Sequence, residues 1–323
     1  MSRKVNKFHK IFAISGFTGF IGSNFFNLLR LKRFKKIYLI SRSSMHLPKN
    51  FKNCVVINVG KKYENIKKFK KKLKTIDVFY HFAYQNDSLV STKRIDCDLA
   101  NNLNPIKKIL NNLKTNSLFI FTSSVAVYGS SSNFFTEADK INPLSSYDLN
   151  KIYCENFIKN YCGKFRINYL IYRLSNIYGV QKKNIITKRG FLFTFIKKIF
   201  FSKNIKLNTN GKHLRDYLYI NDSVNGLMKA TLLRKIFLNK TYNLLYGRSY
   251  SLKNIFYITK KILIKDFKVK SSSHLIFKRF LNLPDTDLRN FRGSSQLYKS
   301  ISRWKPTINI KAGIKKIINE VFI

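Results

Sequence analysis

A tyrosine and a lysine four residues apart, Tyr147 and Lys151 in the segment YDLNK, are the side chains best suited to proton chemistry in this sequence. In a helix, this spacing places both side chains on one face. The ammonium group of Lys151 then lowers the pKa of the Tyr147 phenol, which can act as an acid or base near neutral pH. The alternative is surface decoration, because the chain contains 18 tyrosines and is rich in lysine.

A serine-rich segment, TSSVAVYG at 122–129, offers a hydroxyl that can assist this chemistry. It lies at the carboxyl end of a predicted strand at 118–124, and that end of an open α/β sheet faces the ligand crevice. Ser124 is therefore predicted to hydrogen-bond a reacting hydroxyl or ketone. Ser123 is equally well explained as a cap on the next turn.

A glycine-rich turn, GFTGFIG at 16–22, predicts a phosphate site. Gly16 permits a tight turn, Gly19 lets the backbone approach a pyrophosphate, and Gly22 allows close helix packing, with the phosphates at the helix N-terminus. A plain strand-to-helix turn is the alternative for such a triplet. Here the predicted strand at 11–15 and the predicted helix near 20–32 flank the turn as the motif requires.

The elements that position these residues alternate between short apolar segments and amphipathic, helix-length segments. This rhythm predicts an α/β fold with a doubly wound parallel sheet of the Rossmann type. Beyond residue 180 it weakens, which suggests a smaller C-terminal α/β region. The predicted strands are at 11–15, 37–41, 55–58, 77–83, 118–124 and 167–175, and the predicted helices are near 20–32, 63–74, 96–114, 147–162, 251–264 and 311–321.

The composition bounds the class of protein. With 323 residues, 45% of them hydrophobic, the chain can bury a large core. Its net charge of +47 suggests a nucleic-acid or anionic membrane partner. The charge, however, extends over the whole chain and accompanies many Asn, Ile, Phe and Tyr residues, whose codons, like those of Lys, are AT-rich. A base bias in the genome explains the excess, so no nucleic-acid partner is predicted.

Cysteine usage and hydropathy favour a cytoplasmic enzyme without a metal. The four cysteines form no C-x-x-C pair, and the five histidines are too scattered for a zinc site. No segment approaches the roughly 18 to 20 apolar residues of a membrane span. The basic N-terminus followed by IFAIS is interrupted by Gly16 and Gly19, so it is predicted to be a first strand and not a secretory leader.

Taken in order, these motifs resemble those of the extended short-chain dehydrogenases/reductases, specifically the nucleotide-sugar epimerases and dehydratases. The resemblance covers nearly the whole chain and is more specific than any single motif. It includes GFTGFIG, DVFYHFA, Asn102 before a helix, SSVAVYG, TEADKINPLSSYDLNK, RLSNIYG, NGKHLRDYLYINDSV, YNLLYG and WKP.

The resemblance implies a role for each matching residue. Ser124, Tyr147 and Lys151 form the catalytic group, and Lys151 also binds the nicotinamide ribose of NAD or NADP. Ser124 also contacts the nucleotide-diphosphate sugar, whose diphosphate Asn176 and Arg215 hold; a guanidinium suits phosphate oxygens independently of the resemblance. The remaining cofactor-binding positions are Gly16, Gly19, Phe20, Ile21, Gly22, Ala83, Tyr84 and Asn102.

The resemblance also implies a domain arrangement and a partner. Residues 1–179, rejoined by about 213–247, form an NAD(P)-binding domain, and 180–323 form the smaller substrate-binding region. A homodimer is expected through helices near 99–113 and 147–162.

Two departures from the family pattern narrow the chemistry. Dehydratases resemble one another in an Asp-Glu pair before V-Y-G, where this chain has Val125 and Ala126, so 4,6-dehydration is not expected, and decarboxylation is disfavoured. The second strand normally ends near an acid that binds the adenosine ribose of NAD. Here Ser41 and Arg42 follow, which suits the 2′-phosphate of NADP, although Arg42 can equally stack on adenine or face solvent.

Three functions remain open from the sequence. The first is a 4-epimerase similar to UDP-glucose 4-epimerase, which recycles its bound cofactor. The second is an NADPH-dependent reductase of a 4-keto-6-deoxy nucleotide sugar. The third is a family member without catalysis that binds a polyanion, and the intact Ser124, Tyr147 and Lys151 set argues against it.

Overall fold

A seven-stranded sheet forms the centre of the fold in the computed structural model, which describes residues 8–32, 34–47, 51–85, 95–130, 134–180, 190–277 and 283–323. The strand order is β10-β6-β5-β4-β1-β2-β3, and the pairs β1/β2, β2/β3, β1/β4 and β4/β5 are parallel. The strands are β1 Phe8–Ser15, β2 Phe34–Ser41, β3 Cys54–Asn58, β4 Val78–His81, β5 Leu118–Ser124, β6 Asn168–Leu174 and β10 Lys240–Leu244.

This order confirms the predicted Rossmann-type α/β class. The chain builds the sheet outward from β1 to β3 and then returns to the other side of β1 with β4. In doubly wound sheets, ligands bind at such a point of reversal, beyond the carboxyl ends of the strands. Gly16 follows β1 and Phe82 follows β4, so both lie at that edge of the sheet.

The helices have the following bounds. They are α1 Phe20–Leu29, α2 Lys70–Leu73, α3 Ile95–Leu110, α4 Ser146–Phe165, α5 Phe191–Phe200, α6 Ile220–Lys229, α7 Leu252–Phe267, α8 Asp285–Leu288, α9 Gln296–Ser302 and α10 Ile310–Val321. Short 3-10 helices occupy Glu64–Phe69, Val125–Tyr128, Ala230–Leu232 and Lys235–Phe237.

The described residues divide into two compact units, each made of three chain segments. Unit 1 comprises Met1–Ser123, Leu149–Tyr172 and Met228–Thr241, and unit 2 comprises Ser124–Asp148, Arg173–Leu227 and Tyr242–Ile323. The prediction of a cofactor domain and a substrate domain, with its boundary near residue 179, stays a prediction.

The core of unit 1 shows why these segments form a central sheet. All four residues of β4 are buried, as are the first six of β5. Strands that are buried on both faces read as continuous apolar runs, as DVFYHFA and LFIFTSS do. Phe79 and Phe119 stack at 5.7 Å between ring centroids, within a cluster that includes Ile106, Ile158 and Ile171.

Unit 2 contains two smaller sheets. One has the order β11-β9-β7, formed by Ser249–Ser251, Leu214–Tyr219 and Asn176–Tyr178, and the other pairs β12 Leu275–Phe277 with β8 Ile205–Leu207. The buried carboxylate of Asp222 accepts hydrogen bonds from the Thr307 and Ile308 amides, and its backbone oxygen accepts one from the Trp304 indole at 3.0 Å. These contacts attach the WKP segment to α6.

Three predictions about elements need correction. The single strand predicted at 167–175 is interrupted after Leu174, and Asn176–Tyr178 joins a different sheet. The helix predicted near 63–74 is mostly 3-10. Asn102, which the family motif placed before a helix, lies inside α3, within the helix predicted near 96–114.

No helix in the described part of the chain is both long and apolar enough to cross a membrane. The four cysteines are unpaired, with Cys154 and Cys162 buried.

Candidate active site

The glycine-rich turn joins β1 to α1 as predicted, and its geometry suits an anion. Gly16 has φ +70°, and a Cβ there would lie 2.5 Å from the backbone nitrogen of Ala83. A Cβ on Gly22 would lie 2.2 Å from the Gly16 oxygen. Gly19 occupies the N-cap position of α1 but offers no side-chain hydrogen bond, and the first turn of α1 carries no acid. The backbone amides at this N-terminus, including those of Phe20 and Ile21, therefore favour the binding of a phosphate.

The end of β2 carries hydroxyls and a cation. Ser41 is half-buried and accepts a hydrogen bond from the Ser43 amide at 3.3 Å, and Arg42 is exposed. Asn58, at the end of the neighbouring β3, donates to the Ser44 hydroxyl at 3.0 Å. The described side chains at this edge are hydroxyls, an amide and a guanidinium, without a carboxylate.

The segment after β4 is held from both sides. The backbone of Ala83 packs against Gly16, and the Gln85 amide donates to the Asn102 side-chain oxygen at 2.7 Å. Asn102 is buried and also donates to the backbone oxygen of Asp98 at 3.0 Å. Its side chain therefore has a visible structural task, which is to fix the residues that follow Tyr84.

Lys151 is the most strongly perturbed group of the predicted set. It is only 3% exposed, and its ammonium donates to the Thr122 backbone oxygen at 2.8 Å. The ammonium lies 3.3 Å from the centre of the Tyr84 ring and 4.8 Å from that of Phe121. Burial lowers the pKa of Lys151 to about 7, while Cys154, Glu155 and Asp98 act in the opposite direction.

His81 is a buried group that the sequence reasoning did not single out. Its Nδ1 is 2.7 Å from the Ser15 hydroxyl, and its Nε2 has no hydrogen-bond partner among the described residues. Burial and the charge of Lys151 lower the pKa of His81 to about 3, so the ring is neutral at physiological pH. The only sequence signal was its place in DVFYHFA.

The sequence suggested Ser123 as the cap of the next turn, but in the structure Ser124 is the cap. The Ser124 hydroxyl accepts a hydrogen bond from the Ala126 amide at 3.1 Å and so caps the 3-10 helix Val125–Tyr128. Ser123 is buried without a partner for its hydroxyl among the described residues. Capping uses Ser124 as an acceptor only, so its proton can still be donated. Val125 and Ala126 are buried and carry no acid.

Tyr147 occupies the second position of α4, one turn before Lys151, and is partly exposed. Asp148, which follows it, is fully buried and accepts a hydrogen bond from the Leu144 amide at 3.1 Å. The Ser145 hydroxyl accepts one from the Asp148 amide at 3.2 Å. The start of the helix that carries Tyr147 is thus fixed by local side-chain contacts.

The predicted diphosphate residues lie on neighbouring strands of unit 2. Asn176 in β7 donates to the Asp216 backbone oxygen at 3.1 Å. Arg215 in β9 donates to the backbone oxygens of Thr286, Asp287 and Arg289. Burial lowers the pKa of Arg215, and the neighbouring Arg289 contributes to the same effect.

Arg289 is a buried arginine that the sequence reasoning missed. Its guanidinium forms two hydrogen bonds to the Asp148 carboxylate, at 3.0 and 3.3 Å, and its Nε has no partner among the described residues. The Phe291 ring lies between 5 and 6 Å from both guanidinium groups, at 5.2 Å from Arg215 and 5.5 Å from Arg289. The segment DTDLRNFRG has no periodic pattern, so nothing distinguished this arginine from the other basic residues.

The structure thus brings some predicted residues together. In unit 1, Gly16 meets Ala83, and Tyr84 meets Lys151. In unit 2, Arg215 lies beside a residue that was not predicted, Arg289. The glycine turn and the uncapped N-terminus of α1 fit a dinucleotide pyrophosphate. The individual binding and catalytic roles stay predictions.

The sequence is similar to those of curated proteins. Among curated relatives is a putative UDP-glucose 4-epimerase of Methanocaldococcus jannaschii, 29% identical over 205 residues, which are 62% of this chain and 61% of that protein. Another is a dTDP-4-dehydro-6-deoxyglucose reductase of Escherichia coli, 29% identical over 242 residues, covering 72% of this chain and 70% of that protein. The chain spans 61%, 64% and 57% of the length of three such relatives, and dTDP-D-glucose 4,6-dehydratases also match.

A solved structure shows the same fold. UDP-glucuronic acid 4-epimerase of Bacillus cereus, in complex with UDP-glucuronic acid and NAD, superposes with a TM-score of 0.76 at 21% identity, over 96% of this chain and 99% of that one. The sequence profile of the NAD dependent epimerase/dehydratase family matches residues 12–244, a range that holds the glycine turn, Tyr147 with Lys151, and Arg215. With the doubly wound sheet and the phosphate turn in place, this match shows that the chain belongs to the NAD dependent epimerase/dehydratase family of enzymes.

Proposed function

We propose that this protein is a nucleotide-sugar 4-epimerase of the UDP-glucose 4-epimerase type, with NAD or NADP as its hydride carrier. The observation that carries the proposal is the start of α4, where Tyr147 precedes the buried Lys151 by one turn. The UDP-sugar epimerases among its relatives support the choice of a UDP sugar as substrate.

The cofactor supplies reversible hydride acceptance at its nicotinamide ring. Tyr147 removes the proton of the sugar C4 hydroxyl as C4 loses hydride, which leaves a 4-keto sugar. The 4-keto sugar would then turn its other face toward a bound dinucleotide and take the hydride back. Tyr147 would give the proton back to the C4 oxygen, which yields the C4 epimer. Ser124 donates a hydrogen bond to the C4 oxygen, and Lys151 stabilises the phenolate form of Tyr147 by its charge.

Unit 2 offers the groups for the substrate's diphosphate. Arg215 carries its charge near Phe291, and Asn176 adds an amide; a guanidinium such as that of Arg215 suits the oxygens of a diphosphate. Both terminal nitrogens of Arg289 are paired with Asp148, so Arg289 can offer a diphosphate only its Nε.

The positions of Val125 and Ala126 argue against a 4,6-dehydratase, although dehydratases are among the relatives. Both residues are buried, and neither side chain can transfer a proton. Elimination of water from the sugar requires a general acid and base beside C5 and C6.

A panel of nucleotide sugars tests the proposal directly. Purified protein without added cofactor is incubated with UDP-glucose, UDP-N-acetylglucosamine and UDP-glucuronic acid, and the products are followed by ¹H NMR. We expect one of them to convert to its C4 epimer. No conversion of any UDP sugar, with the cofactor retained, would overturn the proposal.

A reductase of a 4-keto-6-deoxy nucleotide sugar is the second candidate, supported by Ser41 and Arg42 and by the Escherichia coli relative. It consumes NADPH in proportion to substrate, which an epimerase does not. Arg42→Asp tests the cofactor choice. If Arg42 binds a 2′-phosphate, the ratio of NADP to NAD affinity falls by at least about tenfold, as expected for a charge-assisted contact.

We also propose a homodimer formed through α3 and α4. Leu149 and Tyr153 of α4 are 37% and 48% exposed, and exposed apolar side chains on one helix favour association. Light scattering of the wild type and Tyr153→Glu tests this, with a dimer expected for the first and a monomer for the second. A monomeric wild type would refute it.

A further inference from the structure

The proposed chemistry needs Lys151 as a cation, yet this lysine is buried. Its exposure is 3%, and burial alone favours the neutral amine. Something near the ammonium must stabilise its charge if it is to support Tyr147 and a ribose at neutral pH.

The face of the Tyr84 ring is one charge-stabilising surface beside the ammonium. The Lys151 nitrogen lies 3.3 Å from the ring centre, well inside the 6 Å within which a cation is attracted by an aromatic face. Phe121 presents a second ring at 4.8 Å, and the Thr122 oxygen accepts a hydrogen bond at 2.8 Å. These three groups form a box around the ammonium.

The backbone fixes the position of the Tyr84 ring from both sides. Ala83 packs against Gly16 of the phosphate turn, and Gln85 is held by the buried Asn102. The ring also packs against Phe121, with centroids 6.2 Å apart. Contacts of Ala83 and Tyr84 therefore join the glycine-rich turn to Lys151.

We propose that Tyr84 is a positioning residue whose ring face holds the Lys151 ammonium in its charged form. The inference rests on the proposed function, since it assigns to Lys151 the nicotinamide ribose and the support of Tyr147. It gives Asn102 a purpose as well, because this side chain secures the residue after Tyr84.

Other charged or titratable groups near Lys151 also affect its titration. Asp98 of α3, Cys154 and Glu155 of α4 and His81 of β4 all interact with its charge. Burial raises the pKa of the Cys154 thiol to about 12 and lowers that of His81 to about 3, so neither titrates between pH 6 and 9. A change of the ring at position 84 alters none of these side chains.

The experiment measures NAD and NADP affinity from pH 6 to 9 by calorimetry, for wild type, Tyr84→Leu and Tyr84→Phe. Leucine fills much of the space without a ring face, whereas phenylalanine keeps the face. For Tyr84→Leu we expect about twofold weaker binding at pH 6 and about tenfold weaker binding at pH 8, because the pKa of Lys151 falls from about 7 by about one pH unit. In Tyr84→Phe the dinucleotide affinity should depend on pH as in the wild type. The same is expected of Tyr257→Leu, which removes an exposed ring from α7.

Two results would overturn the proposal: equal weakening by Tyr84→Leu at every pH, which indicates a purely structural role, or no change at all. A wild type that binds neither dinucleotide would refute the proposed function instead. The ¹³Cε resonance of Lys151, assigned by comparison with Lys151→Met, then decides on Tyr84 alone. Its titration midpoint should fall by about one pH unit in Tyr84→Leu, and an unmoved midpoint would reject the inference.

Discussion

The buried ion pair between Asp148 and Arg289 gives a prediction with a definite magnitude. The two side chains are 1% and 7% exposed, their closest nitrogen and oxygen are 3.0 Å apart, and 141 positions separate them in the sequence. Removing one partner of such a pair leaves an unpaired buried charge, which costs about 3 to 5 kcal/mol. Replacing both partners with neutral side chains of similar size is often close to neutral.

The expected shift in melting temperature follows from the size of the chain. At about 2.1 cal/mol/K per residue, unfolding 323 residues gains about 0.7 kcal/mol/K of entropy. Asp148→Asn and Arg289→Met should each lower the Tm by about 4 to 7 °C, while the double variant should recover most of that loss. Differential scanning calorimetry of the four proteins measures this.

A matched control comes from the ion pair between Lys315 and Asp266, whose side chains are 45% and 30% exposed. Asp266→Asn should change stability by less than about 1 kcal/mol, because solvent screens exposed pairs. An Asp148→Asn variant as mild as this control would contradict the expected cost of an unpaired buried charge, as would a double variant no more stable than the worse single variant.

Three further outcomes are expected. Gly22→Ala should weaken dinucleotide binding by at least about tenfold, because its Cβ would lie 2.2 Å from the Gly16 oxygen. Gly163→Ala is the control and should bind the dinucleotide normally, because a Cβ there meets nothing within 4 Å. Equal affinities of the two variants would contradict this prediction. Tyr147→Phe should lower kcat by about 10² to 10⁴ while the cofactor stays bound, and a kcat above a tenth of wild type would exclude Tyr147 as the proton carrier. The pKa of His81 is about 3 in the folded protein and about 6.5 in the unfolded chain, so the unfolded chain binds a proton at higher pH than the folded one. The free energy of unfolding should therefore fall as pH drops from 6.5 toward 3, by about 2 kcal/mol at pH 5. Urea unfolding of wild type and His81→Gln at pH 7 and pH 5 checks this, and identical pH dependence would contradict it.

Local sequence patterns were sufficient for much of the fold. The strand, turn and helix around Gly16 follow from apolar periodicity and glycine spacing within about twenty residues. The family resemblance then assigned Lys151 and Tyr84 to the cofactor and Arg215 to the diphosphate, but it predicted neither the contact between Lys151 and Tyr84 nor the strand that carries Arg215. The capping role of Ser124 also had a local signal, since a serine two residues before a backbone amide often accepts its hydrogen bond.

Contacts between distant residues were beyond the sequence. In the sequence, Asp148 is an acid in the first turn of α4, a position that favours an acid without any ion-pair partner. Arg289 is one of 62 basic residues. Only the folded chain shows that they form a bidentate pair. In the same way, the short strand Asn176–Tyr178 continues an apolar run, and its departure into a second sheet depends on pairing with β9, which begins at Leu214.

The interleaved segments of unit 1 have a consequence for biosynthesis. The first segment ends at Ser123, but the unit is complete only with Leu149–Tyr172 and Met228–Thr241. A nascent chain leaving the ribosome therefore exposes the edge of β5 until β6 has been translated, and β6 in turn waits for β10. Domains generally fold as units during synthesis, and unpaired strand edges promote aggregation. A fragment truncated before Thr241 should consequently be insoluble, because β6 then lacks its partner β10.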